Sequence, residues 1–163
     1  MIKTSNYHHS VTENGNLQLR IVTEYLKDGK VLERIPSLPV TPADTSKMDG
    51  FDDRSKTIVE AITDDKVKAD FATEHQTPTG QGLEQIVTYD RTLDDLGRIS
   101  VRRITRIFDD GEEVSKKYHR SWIMPGQDPT GNDVMSKAIA EKLHTPEVIA
   151  EYESKMAEQA KGV

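Results

Sequence analysis

Apolar and polar positions alternate along short stretches of the chain, with the period of two that marks half-buried strands. Leu17, Leu19 and Ile21 alternate with Gln18 and Arg20, and Ile99 and Val101 alternate with Ser100 and Arg102. Each run leads into an Asp-Gly step, in EYLKDGKVL at 24–32 and in RIFDDGEEV at 106–114. Asp-Gly tolerates positive φ at both central residues of a type I′ turn, so both stretches read as tight hairpins. The pattern predicts strands over about 4–11, 16–26 and 30–36, and again over about 85–92, 98–108 and 112–123. The second strand of each set also carries apolar residues of the other parity, Val22 and Leu26, Ile104 and Phe108. Either a bulge interrupts it near 102–103, or both faces of the sheet are partly covered; partial cover is the favoured reading.

Helical signals follow each set of strands. Asp52 and Asp133 are placed to cap helices that end near Ile62 and Leu143, since a carboxylate accepts a free backbone N–H there. The segment HTPEV gives a second start, with Thr145 as cap, Pro146 at the first helical position and Glu147 in the first turn. Asp64 takes that capping role in the first half. These last helices reach about Thr73 and Glu158, and 74–84, EHQTPTGQGLE, reads as a linker.

Laying 85–152 over 3–71 explains why the hairpin is written twice. At an offset of 82, Tyr7 meets Tyr89, Gly15 meets Gly97, Arg20 meets Arg102, Thr23 meets Thr105, and Asp28-Gly29 meets Asp110-Gly111. Pro42 then meets Pro125, and Lys56, Ile58, Glu60, Val67, Ala69 and Phe71 meet Lys137, Ile139, Glu141, Val148, Ala150 and Tyr152. Two unrelated hairpins followed by helices would match only at the turns. The expected fold is therefore α+β, a tandem duplication of a three-stranded antiparallel β-meander followed by two short helices, arranged as a pseudo-twofold pair. The units are 1–73 and 85–163, joined by the linker 74–84. Whether they share one sheet or pack face to face is open at this point.

Composition narrows the function. Apolar residues make up 34% and charged residues 31%, so the core is thin and partner surfaces can help stabilise it. A formal net charge of −6 argues against non-specific binding to a phosphate backbone. The chain has no cysteine, which removes disulfides, thiolate catalysis and cysteine-ligated zinc. No secretory h-region opens MIKTSNYHHS and no apolar run is long enough to span a membrane. The expectation is a soluble protein with no membrane partner.

Candidate chemistry is sparse. His8 and His9 are neighbours on a strand and point to opposite faces, so they read as exposed strand residues and not as a metal pair. Tyr118, Arg120 and Trp122 share one face of the last strand, with His119 on the other. Arg120 between two aromatics suggests a cation–π stack, and such residues dominate binding hot spots. The competing reading makes Tyr118 and Trp122 the larger core of the second unit. Arg98, Arg102 and Arg106 recur every fourth residue and share one side of their strand. A basic stripe can read nucleic acid, but the acidic chain lacks the flanking aromatics of a single-strand binder. Pairing with Glu112 or Glu113, or with an acidic partner surface, is the expectation. The acidic spots fit turns and caps, not the twelve-residue calcium loop. There is no G-x-S-x-G, phosphate-binding glycine loop or H-E-x-x-H, so neither catalysis nor a cofactor is expected.

Residues 99–152 resemble short proteins encoded by tailed bacteriophages near tail and tail-fibre genes. The matching positions are Arg103, Arg106, Ile107, Asp110, Gly111 and Val114, then Tyr118, His119, Arg120, Pro125, Gly126 and Asp128. Thr145, Pro146, Glu147, Val148 and Tyr152 complete the pattern. Gln127 and PTGND depart from the family's more acidic segment. The likeness covers about the last third of the chain and implies a phage origin. It leads to the expectation of a virion structural protein, an accessory subunit of the tail, baseplate, fibre attachment or head–tail region. Such a subunit binds other phage structural proteins in an oligomer or assembly, and resides in the host cytoplasm before entering the virion. Its expected contacts are Tyr118, Arg120, Trp122, Arg98, Arg102 and Arg106. The alternative is an intracellular phage protein that binds and inhibits a host factor.

Overall fold

A computed structural model of the chain describes residues 1–37 and 48–162. Pro42 lies outside the described residues. Strands β1 (Ile2–Val11), β2 (Leu17–Lys27) and β3 (Lys30–Pro36) precede helices α1 (Asp53–Thr63) and α2 (Asp65–Glu74). Strands β4 (Leu83–Leu93), β5 (Ile99–Asp109) and β6 (Glu112–Ile123) precede α3 (Val134–Leu143) and α4 (Pro146–Lys161). The protein is α+β, with one antiparallel sheet of six strands in the order β3-β2-β1-β4-β5-β6. The two meanders thus share a continuous sheet. They meet where His9, Ser10 and Val11 pair with Leu93, Thr92 and Arg91.

The turns follow from the Asp-Gly steps. Asp28 and Gly29 have φ of 52° and 74°, and Asp110 and Gly111 have φ of 45° and 87°, the positive pair that a type I′ turn requires. The ladder slips between Tyr25 and Leu26 and again between Ile107 and Phe108. The bulge offered as the alternative reading near 102–103 is therefore absent there; the irregularity lies beside the hairpin turn, where an extra residue adjusts the local twist. Partial cover of both faces accounts for the mixed parity. Val11, Leu17, Leu19, Leu93, Ile99, Val101 and Ile123 join the main core, whereas Ile86 and Ile104 are buried outside it, on the opposite face.

Caps set the helix starts. Asp52 accepts from the Ser55 backbone N–H, Asp133 from that of Ser136, Asp64 from Lys66 and Val67, and Thr145 from Val148. Helices α1 and α3 pack on each other and on the sheet, contributing Ile58, Val59, Ala61 and Ile62, and Met135, Ile139, Ala140 and Leu143. The halves close tightly at Gly15, where a Cβ would stand 2.9 Å from Met135 Cε. Helix α4 carries no buried residue, and only its first turns lean on the body through Val148, Ile149 and Tyr152.

Candidate functional site

The face of the sheet turned away from the helices gathers all six residues that the sequence singles out. Register places Trp122 opposite Ser100, Arg120 opposite Arg102, and Tyr118 opposite Ile104. Arg106 lies opposite Lys116 on the same face, and Arg98 directly precedes β5. Strand β6 ends the sheet, and every residue in it except Ile123 is exposed. Tyr118 is 57% and Trp122 42% exposed, so neither is the core of the second half.

The stacking differs from the expectation. Arg98 lies over the Trp122 ring at 5.5 Å and Arg102 over the Tyr118 ring at 5.0 Å, with Lys116 at 5.8 Å from Tyr118. Arg120 stacks on neither and donates to Ser100 Oγ at 3.3 Å. Side chains two apart on one strand project side by side. Diagonal neighbours on the next strand can instead lay a long side chain across a ring.

Most of these cations are neutralised. Arg98 pairs with Asp94 at 2.6 Å, Arg102 with Asp90, and Arg106 with Glu13 at 2.5 Å and Glu113 at 3.3 Å. Glu113 thus takes part as expected, while the other acids come from β4 and from the loops that follow β1 and β4. Arg102 and Arg106 flank Ile104 on the same face of β5 and Tyr118 lies opposite it, which places these long amphipathic side chains to roof it. Glu13 ties the two halves together, because it also accepts from Thr88. The Arg106 guanidinium holds the Glu13 carboxyl below its usual range, against a smaller upward push from burial. A depressed carboxylate contributes stability above its unfolded value that is lost as pH falls through the folded one. Glu13→Gln should therefore be less stable than the wild type at pH 7, and the gap should close below about pH 4. Urea melts of both proteins across that range provide the measurement.

Two concavities mark the same face. One of about 480 Å³ is lined by His8, Ser10, Gln18, Arg20, Val22 and Pro36, with Thr92 at its wall. The other, about 350 Å³, shares Ser10, Gln18 and Thr92 and continues past two acids, Glu13 and Asp90, and Ser100 to Arg102 and Arg120. Together they form a trough from β3 to β6.

On the helix face the structure assembles polar residues that the sequence reading missed. His9 is buried, not exposed, and its Nε2 lies 2.8 Å from Ser55 Oγ and 3.6 Å from Asp52 Oδ1. In the second half Arg91 stands in the corresponding place. Its Nε donates to Ser136 Oγ at 2.8 Å, and its Nη2 to Asp133. Histidine, serine and aspartate are the residue types of a hydrolase triad, but the geometry is a clasp. The Ser55 hydroxyl donates to the Asp52 carboxylate, which leaves its oxygen to accept from His9 Nε2. Ser55 is completely buried, and arginine fills the same role in the other half. Each clasp fixes a helix N-terminus to the sheet. At Asp52 burial pushes the carboxyl up, and the bonds from His9 and Ser55 together outweigh that and hold it low. The partners lie 46 and 45 residues apart, beyond any local signal. The one trace in the sequence is the repeated Asp-x-x-Ser at Asp52–Ser55 and Asp133–Ser136. Among the described residues no group of three His, Asp or Glu side chains is arranged to hold a metal ion.

No protein-family model matches this chain, and no curated protein or solved structure matches it either.

Proposed function

We propose that the chain is a bacteriophage structural subunit that works by binding other virion proteins, and that it arose by tandem duplication of a meander-plus-helices module. The binding reading rests chiefly on β6. It is twelve residues long, lies at the end of the sheet, and presents Tyr118, Arg120 and Trp122 to solvent. An open edge recruits strands from other chains, and aromatic and arginine side chains beside it supply anchor contacts. The likeness of 99–152 to tailed-phage proteins supplies the virion context. Accessory subunit of the tail, baseplate, fibre attachment or head–tail region is the role it favours.

The duplication is supported by features that recur in place. Both halves have the same bulge, the same Asp-Gly turn and the same Asp–Ser clasp. At the junction Ser10 pairs with its counterpart Thr92, His9 with the counterpart of Val11, and Val11 with that of His9. A pseudo-twofold axis through Ser10 and Thr92 accounts for that register.

The double variant Trp122→Ala/Arg120→Ala should be a folded monomer that no longer enters particles. Incorporation at wild-type stoichiometry, measured by mass spectrometry of purified virions, would refute the role. Absence of the wild-type protein from virions would favour the host-factor inhibitor.

A further inference from the structure

We infer that the trough across the outer face of the sheet is a docking groove for an extended acidic segment of a partner protein, read by Arg20. The argument comes from comparing the two halves. In the second, Arg102 faces Asp90 across the β4–β5 ladder and is paired with it. In the first, Arg20 occupies the matching place on β2, and the residue facing it on β1 is His8. The internal carboxylate is gone, and His8 cannot replace its charge. Among the described residues Arg20 has no ion pair or hydrogen bond, and both it and His8 are exposed. An unpartnered guanidinium beside a cavity of about 480 Å³ is a ready fork for a carboxylate from outside.

The neighbours of Arg20 on this face suit such a ligand. Ser10, Gln18 and Thr92 offer neutral hydrogen-bonding groups, and Val22 and Pro36 offer apolar wall. No acid lines this lobe to compete. At the far end of the trough Arg120 likewise has no carboxylate partner among the described residues. Six strands at about 4.8 Å spacing make the trough roughly 24 Å long, the reach of about seven extended residues. That length fits a peptide segment better than a small anion. The Asp90–Arg102 pair already shows that an aspartate carboxylate fits this strand geometry.

The inference rests on reading the chain as a binding module, and it names the partner's chemistry. The probe is a capped, fluorescently labelled heptapeptide with two glutamates between apolar residues, alongside its glutamine counterpart, followed by anisotropy on the full chain. The glutamate peptide should bind about tenfold more tightly than the glutamine one, the worth of one charge-assisted hydrogen bond. Arg20→Gln should lose that preference. His8→Asp should lose it too, by restoring the internal pair of the other half, while its thermal melt shows an intact fold. Asp90→His should strengthen binding by releasing Arg102. Equal binding of the two peptides, or affinities unchanged in all three variants, overturns the assignment. Absent peptide binding with Trp122 and Arg120 still needed for incorporation removes the groove alone. Peptide binding with unaffected incorporation removes the virion reading alone.

Discussion

Arg91→Met should lower the free energy of unfolding by about 3–5 kcal/mol, the loss expected when one partner of a buried ion pair is removed. The Arg91 side chain is 1% exposed and that of Asp133 is fully buried. Asp133 Oδ2 has no hydrogen-bond partner even with the arginine in place. Methionine fills much of the volume but leaves the carboxylate without a counter-charge in the interior. It also removes the donors to Ser136 Oγ and to the Thr12 carbonyl. The helix cap then turns against the fold, since its acceptor is a charge that water cannot reach. The double variant Arg91→Met/Asp133→Asn should recover most of the loss. Asparagine caps helices about as well as aspartate and brings no buried charge. Urea denaturation at pH 7 gives both numbers. A single-variant loss below about 1 kcal/mol would mean that the carboxylate is solvated.

The two clasps explain each other's residue choice. Asp133 is fully enclosed, and a permanent cation with five donors faces it. Asp52 keeps 29% of its side chain exposed, so water shares the task of solvating it and an imidazole suffices. This is why an alignment of the halves sets His9 against Arg91 without any shared chemistry visible in the letters. What the two positions share is a place on the inner face of a first strand, one residue from the junction pair Ser10 and Thr92.

Legibility in the sequence follows the range of the interaction. Turns and caps are written by adjacent residues, so Asp28-Gly29, Asp110-Gly111, Asp133 and Thr145-Pro146 place the hairpins and helix starts to within a residue or two. The sheet junction is made by only three residue pairs 80 or more positions apart, and no local pattern announces it. The outer-face residues are legible because strand parity alone puts Arg98, Arg102 and Arg106 on one side. Their stacking is not legible from β6 alone, because the contacts run diagonally from Trp122 and Tyr118 to Arg98 and Arg102. The free state of Arg20 needs both the register and the other half for comparison.

The mixed parity of β5 leads to the second large effect. Ile139→Ala should cost about 2–5 kcal/mol, the usual range for a buried aliphatic truncated in a core. Ile139 is completely buried in the main core, where α3 packs on α1 and on the sheet, and these backbone elements limit collapse into the space. Ile104 is almost as buried, at 1%, yet its cover on the outer face consists of side chains. Arg102 and Tyr118 are long and keep exposed ends, so they can settle into the gap left by alanine. The cavity term should then shrink, and Ile104→Ala should fall near the low end of that range, about 2 kcal/mol. Its second consequence separates it from Ile139→Ala. Moving the Tyr118 ring alters the ladder on β6, so Ile104→Ala should weaken the proposed partner binding out of proportion to its stability loss. Chemical denaturation and incorporation into particles, measured on both variants, test this. Equal costs for the two would mean that the arginine roof is as rigid as the helices, and that the outer face is a second core instead of an adaptable binding surface.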